Sequence, residues 1–124
     1  MSLICKVRLQ THHNKYVGVE ENGKANASRD KLNAWEILSV TFIGTDRVQF
    51  KGVYGKYLTA EWDGTVTANR PQGGKWETWT VEEKGRGFTF KSAHGKYLVA
   101  ELNGELHANR NDASNWETFT IIKG

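Results

Sequence analysis

Apolar and polar residues alternate along this chain in short runs, and the runs recur. Val7 and Leu9, Val48 and Phe50, and Phe88 and Phe90 each stand two apart with a polar residue between them. A period of two predicts a half-buried strand. A second strand is predicted at Tyr16–Glu20, Tyr57–Glu61 and Tyr97–Glu101. It ends at Asn22-Gly23, Asp63-Gly64 and Asn103-Gly104. Asx-Gly between strands predicts a type I′ hairpin with both central residues left-handed. The third strand puts Ala25, Val66 and Leu106, with Ala27, Ala68 and Ala108, on one face. The fourth points Leu38, Trp79 and Phe119, with Val40, Val81 and Ile121, inward. No stretch carries a helical period.

The pattern is a threefold repeat. Tyr16, Tyr57 and Tyr97 are 41 and 40 residues apart, and so are Trp35, Trp76 and Trp116. Four strands in about 40 residues also describe a propeller blade, but propellers typically need at least four blades. Three such units predict a β-trefoil, a six-stranded barrel capped by three hairpins. Closure removes the exposed sheet edges that make all-β chains aggregate. The whole chain, 1–124, reads as a single all-β domain with repeats at about 3–44, 45–85 and 86–124. Between the first two strands of each repeat, one turn slot holds Asn14, Gly55 and Gly95. These residues accept positive φ, so the slot is expected to be left-handed.

Composition narrows the function classes. A length of 124 residues suffices for one core. The net charge of +3 is spread over all repeats and does not predict a nucleic-acid partner. The single Cys5 leaves no internal disulfide and no zinc cluster, and its plain reading is a small core residue. No metal or cofactor is expected. No run approaches the about 20 apolar residues of a membrane span, so no membrane insertion is expected. No secretory signal precedes the first repeat. The chain reads as cytoplasmic if whole and extracellular if a module of a secreted protein, and as a monomer.

Several recurring positions are not needed by strand alternation. Glu20, Glu61 and Glu101 share the parity of the tyrosines and should leave the core face. Ser28, Asn69 and Asn109, then Arg29, Arg70 and Arg110, stand where the third strand ends. Trp35, Trp76 and Trp116 open the fourth strand with outward parity, followed by Glu36, Glu77 and Glu117 on the inward parity. A structural account has the tryptophan covering a neighbouring hairpin and each arginine pairing with a glutamate, which a buried carboxylate needs. The functional account is a sugar site. Indole gives a flat face to the C–H side of a pyranose. Glu, Asn and Arg give planar hydrogen-bonding groups to its hydroxyls. Three shallow sites on one body would gain by avidity on a polymer. The hairpin tips break the symmetry with Glu21, Trp62 and Leu102. If Trp62 is exposed rather than packed on the next repeat, the second site is the strongest.

Gly55-Lys56-Tyr57-Leu58-Thr59-Ala60-Glu61, Ala68-Asn69-Arg70 and Trp76-Glu77-Thr78-Trp79, with their counterparts at Gly95–Glu101, Ala108–Arg110 and Trp116–Phe119, resemble the fascin-like β-trefoil superfamily over the whole chain. That superfamily holds actin-bundling proteins with tandem trefoils and single trefoils that bind glycans, including modules for β-glucans. The pattern is closer to the second class. The resemblance implies up to three sites built on Glu20, Glu61 and Glu101 with Trp35, Trp76 and Trp116, and on the adjacent Glu36, Glu77 and Glu117. The first repeat departs most, with Val17-Gly18-Val19, Ser28 and Ile37. A Gln-x-Trp lectin signature is absent.

The leading expectation is non-catalytic binding of an oligosaccharide or polysaccharide, with β-glucan as the expected class. Binding to F-actin is the alternative, and it would call for a one-sided basic patch rather than a symmetric Trp and Glu set. A pH sensor is a third reading, weakened by only four histidines, with His13, Tyr54 and His94 in equivalent turns. No nucleophile or metal-ligand spacing points to an enzyme. Paired carboxylates such as Glu61 and Glu77 would suit a glycosidase, but they recur threefold where a single deep cleft would be needed. Asn26-Ala27-Ser28 is a formal glycosylation sequon in a predicted strand.

Overall fold

Period-two alternation can bury one face of every strand only if the strands close on a common core. In the computed structural model, which describes residues 4–29 and 36–123, they do. Six strands form the barrel: β1 (Ile4–Gln10), β4 (Leu38–Ile43), β5 (Arg47–Lys51), β8 (Trp79–Lys84), β9 (Gly87–Lys91) and β12 (Thr120–Lys123). Antiparallel pairing runs β1–β4, β4–β5, β5–β8, β8–β9 and β12–β1. Phe88 and Phe119 complete the ring by exchanging two backbone hydrogen bonds of 2.8 Å.

Three hairpins cap the barrel: β2 (Tyr16–Val19) with β3 (Ala25–Arg29), β6 (Tyr57–Ala60) with β7 (Val66–Arg70), and β10 (Tyr97–Ala100) with β11 (Leu106–Arg110). This is the β-trefoil expected from the repeat. Leu9, Phe50, Phe90, Leu38, Trp79 and Phe119 are buried, as are Leu58 and Leu98 from the cap. Each large apolar side chain removed from water contributes about 1.5–3 kcal/mol. The rings of Phe50 and Phe90 meet edge to face at 5.2 Å, and Trp79 Nε1 donates to the Leu58 carbonyl. Cys5 is exposed rather than a core residue: it shares the parity of the buried Val7 and Leu9, but it stands near the start of β1, outside the buried stretch of the strand.

The cap hairpins interlock in a ring. Ala68 N–H donates to the Gly23 carbonyl, Ala108 N–H to that of Gly64, and Ala27 N–H to that of Gly104, at 2.7–2.8 Å. The three glycines have φ of 88°, 92° and 92°. A Cβ on them would come within 2.6 Å of Asn69 Cβ, 3.0 Å of Asn109 Cβ and 2.7 Å of Ser28 Cβ. Glycine therefore serves both a left-handed backbone and a close approach to the next repeat.

The expected type I′ turns are not formed. Among the described residues Asn14 is the one non-glycine at positive φ (62°), so Asn22, Asp63 and Asn103 are not left-handed. Their side-chain oxygens instead accept the backbone N–H of Lys24, Thr65 and Glu105 at 3.0 Å. The Asx residue is used as an acceptor two residues on, in a loop of the type that ends in a left-handed glycine before the returning strand. Asn14, Gly55 and Gly95 do take the left-handed slot predicted for them.

Candidate functional site

Trp76-Glu77 and Trp116-Glu117 do not open the fourth strand. They lie in short 3-10 turns, Lys75–Glu77 and Asn115–Glu117, just before it. Three residues make one turn of such a helix. The turn throws the tryptophan outward and the glutamate inward, so the outward position arises without strand parity. Glu77 and Glu117 are buried, and their Oε1 accepts the backbone N–H of Gly74 and Ser114 at 2.7 and 2.6 Å. Glu36 is buried as well. All three carboxylates thus lie inside the fold rather than on its open surface.

Glu77 and Glu117 each brace an arginine. Glu77 Oε2 lies 4.0 Å from Arg70 Nε, and Glu117 Oε2 lies 3.9 Å from Arg110 Nε. The far ends of the same arginines reach the outer glutamates. Arg70 Nη2 donates to Glu61 Oε1 at 2.7 Å, and Arg110 Nη2 donates to both oxygens of Glu101 at 2.9 Å. The fork of a guanidinium allows both contacts at once. Arg110 Nη1 also donates to Asn109 Oδ1.

A third-strand residue completes the support of each outer glutamate. Asn26 Nδ2 donates to Glu20 Oε2 at 2.5 Å, Thr67 Oγ1 to Glu61 Oε2 at 2.7 Å, and His107 Nδ1 to Glu101 Oε2 at 3.2 Å. The sequence reading missed Asn26, Thr67 and His107 as a set. They share a register position, but their only common property is a hydrogen-bonding head. A carboxylate has about four acceptor positions, so Glu61 and Glu101 keep capacity on their exposed side.

The aromatic part crosses between repeats. His94, from the turn of the third repeat, stands edge-on to Trp76 (4.9 Å, 73°) and to Trp62 (5.1 Å, 86°) of the second. His13 of the first repeat meets Trp116 of the third at 4.8 Å. The turn histidines are thus wedges in the seams and not free surface groups. Arg70 covers one side of Trp76 at 5.3 Å from the ring centre. Trp62 is 77% exposed, Leu102 73% and Trp116 37%. Asn69 is exposed, while its Cβ packs on Gly23. Trp35 and the side chain of Arg29 lie outside the described residues.

Two roomier depressions lie elsewhere. One of 560 Å³ holds Thr118, Thr120 and Arg86, and one of 410 Å³ holds Thr78, Thr80 and Arg47. Neither is lined by Trp, Tyr or Phe, so a sugar ring would find no stacking face there. A smaller depression of 210 Å³ adjoins the aromatic row between Trp62 and Asn109. Asp63 at its rim is held below the usual aspartate range by the Thr65 hydroxyl first and the Thr65 N–H second. Among the described residues no cluster of His, Cys, Asp or Glu suits a metal ion. No helix is long and apolar enough to cross a membrane, among the residues described.

Comparison with known families matches residues 12–121 to the Fascin domain. No curated protein matches the chain.

Proposed function

The chain belongs to the fascin domain family, and from that premise we propose that it is a non-catalytic, lectin-like module that binds β-glucan through up to three equivalent shallow sites. The observation that carries this reading is the recurrence of one arrangement. In the second and third repeats an exposed or half-exposed tryptophan directly precedes the buried glutamate that braces a Glu–Arg pair, Trp76 before Glu77 with Glu61–Arg70, whose Arg70 also covers the indole, and Trp116 before Glu117 with Glu101–Arg110. The indole supplies the stacking face, and the paired charges supply acceptor and donor to neighbouring hydroxyls. Glu77 and Glu117 hold the arginines from behind. Asn69 and Asn109 add an exposed amide at the rim of each site. Glu20 with Asn26 forms the corresponding edge in the first repeat.

The same pairing weighs against the family's other activity, binding to F-actin. Arg70 and Arg110 are each matched by carboxylates, so these sites are not a net basic patch. Sedimentation with insoluble β-1,3- and β-1,6-glucans, run beside sedimentation with F-actin, tests the two readings. Retention on glucan and none on actin is the expected result. Retention on actin with silence on both glucans would overturn the proposal.

A further inference from the structure

The second and third sites share their inner parts but not their outer one. His94 stands edge-on to both Trp76 and Trp62, at 4.9 and 5.1 Å between ring centres. The two indoles are therefore at most 10 Å apart, the span of a short run of linked pyranose rings. Beyond Trp62 the surface falls into the 210 Å³ depression, whose other wall is Lys96 and Asn109 of the third repeat. In the third site Leu102 stands where Trp62 stands, and His13 meets Trp116 and its neighbour His12 but no second indole.

From this we infer that the second site has two adjacent sugar subsites, one on Trp76 and one on Trp62, and so distinguishes glucan oligomers by length. The inference rests on the β-glucan reading of the same site. Trp76 with Glu61 and Arg70 holds the first unit. Trp62 stacks on the next unit along the chain, and Lys96 and Asn109 across the seam face its hydroxyls. The third site, with an aliphatic tip, holds one unit and is insensitive to length.

Titration calorimetry with glucose and with β-1,3- and β-1,6-linked glucose di- and trisaccharides tests this on the whole chain. The wild type is expected to bind the trisaccharide about five- to tenfold tighter than glucose at one class of site, the size of one added stacking contact. Trp62→Leu is expected to abolish that gain, so that the trisaccharide binds no more tightly than glucose. Leu102→Trp is expected to create a second length-sensitive site. Both positions are exposed, and an unchanged Tm identifies folded variants. Persistence of the length dependence in Trp62→Leu overturns the two-subsite inference but spares the β-glucan reading. Binding of the wild type to none of the sugars overturns both. Failure of Leu102→Trp to add length sensitivity also counts against the inference, since it would mean the tip indole is not sufficient.

Discussion

Nε2 of His94 lies 2.9 Å from the carbonyl oxygen of Ala60. A carbonyl only accepts, so the imidazole donates, and the bond ties the turn of one repeat to the hairpin of another. His13 makes the same contact to Ala100 at 3.1 Å. Each histidine thus sets its seam and, through ring contact, the tilt of the neighbouring tryptophan. His94→Ala should lower stability by about 1–2 kcal/mol, from one hydrogen bond and two edge contacts. It should also weaken glucan retention by loosening Trp62 and Trp76. Urea unfolding and a pull-down on the same preparation check both effects. Full retention with lowered stability would leave His94 a structural role only.

The glycines separate two costs. Gly55 and Gly95 have positive φ but nothing within 4 Å of a built Cβ, whereas Gly23 and Gly104 have positive φ and a contact below 3.0 Å. Gly55→Ala should cost about 1–2 kcal/mol for the left-handed backbone alone. Gly23→Ala should cost more, by the about 1–3 kcal/mol of overpacking against Asn69. Chemical denaturation of the pair measures the difference. Equal losses would show that the hairpin ring yields easily.

How much of this was legible follows from what each residue touches. Leu9, Phe50 and Phe90 announced the barrel, because burial at period two is a local property of sequence. Asn14 announced its left-handed turn by standing where Gly55 and Gly95 stand. The 3-10 turns were hidden, since three residues carry no period. The histidine wedges were hidden too, because the contact joins different repeats and Tyr54 replaces His in one of them. Asn26, Thr67 and His107 share a role without sharing an identity, so alignment of the repeats alone did not mark them.

The rim carboxylate of the second hairpin has its own signature. The Thr65 hydroxyl and N–H favour ionised Asp63 in the folded chain. A folded pKa below the unfolded one contributes stability above the unfolded value, and that contribution is lost as pH falls through the folded value. Thr65→Val removes the larger cause, so the Asp63 pKa should rise towards its ordinary value. Carbon-detected NMR titration of the side chain reads the shift directly. An unchanged pKa would mean the backbone N–H alone holds the carboxylate.

The braced arginine makes a separable claim about the buried glutamates. Glu77→Gln keeps an oxygen for the Gly74 N–H but removes the charge opposite Arg70 Nε. Glu77→Ala removes both and opens a cavity. Stability should therefore fall in the order wild type, Gln, Ala, with the Ala variant losing about 2–4 kcal/mol. Short-oligosaccharide affinity of the Gln variant should change less than about threefold if Glu77 only positions Arg70. A large affinity loss with little loss of stability would instead mark Glu77 as a direct ligand that burial in the unbound form conceals.

Trivalency is tested by removing sites one at a time. Trp76→Ala and Trp116→Ala truncate side chains that are half-exposed or exposed, so each should fold with at most a modest fall in Tm. On insoluble glucan, loss of one of several linked contacts should reduce retention by about tenfold or more, because rebinding within one particle acts at high effective concentration. On a soluble trisaccharide, the same variants should lose stoichiometry while the remaining sites keep their affinity. The double variant should leave only the first repeat and retain little. Matched losses on polymer and trisaccharide would show independent sites without avidity. Unfolding of both single variants would assign the tryptophans to the seams, where His94 and His13 already hold them.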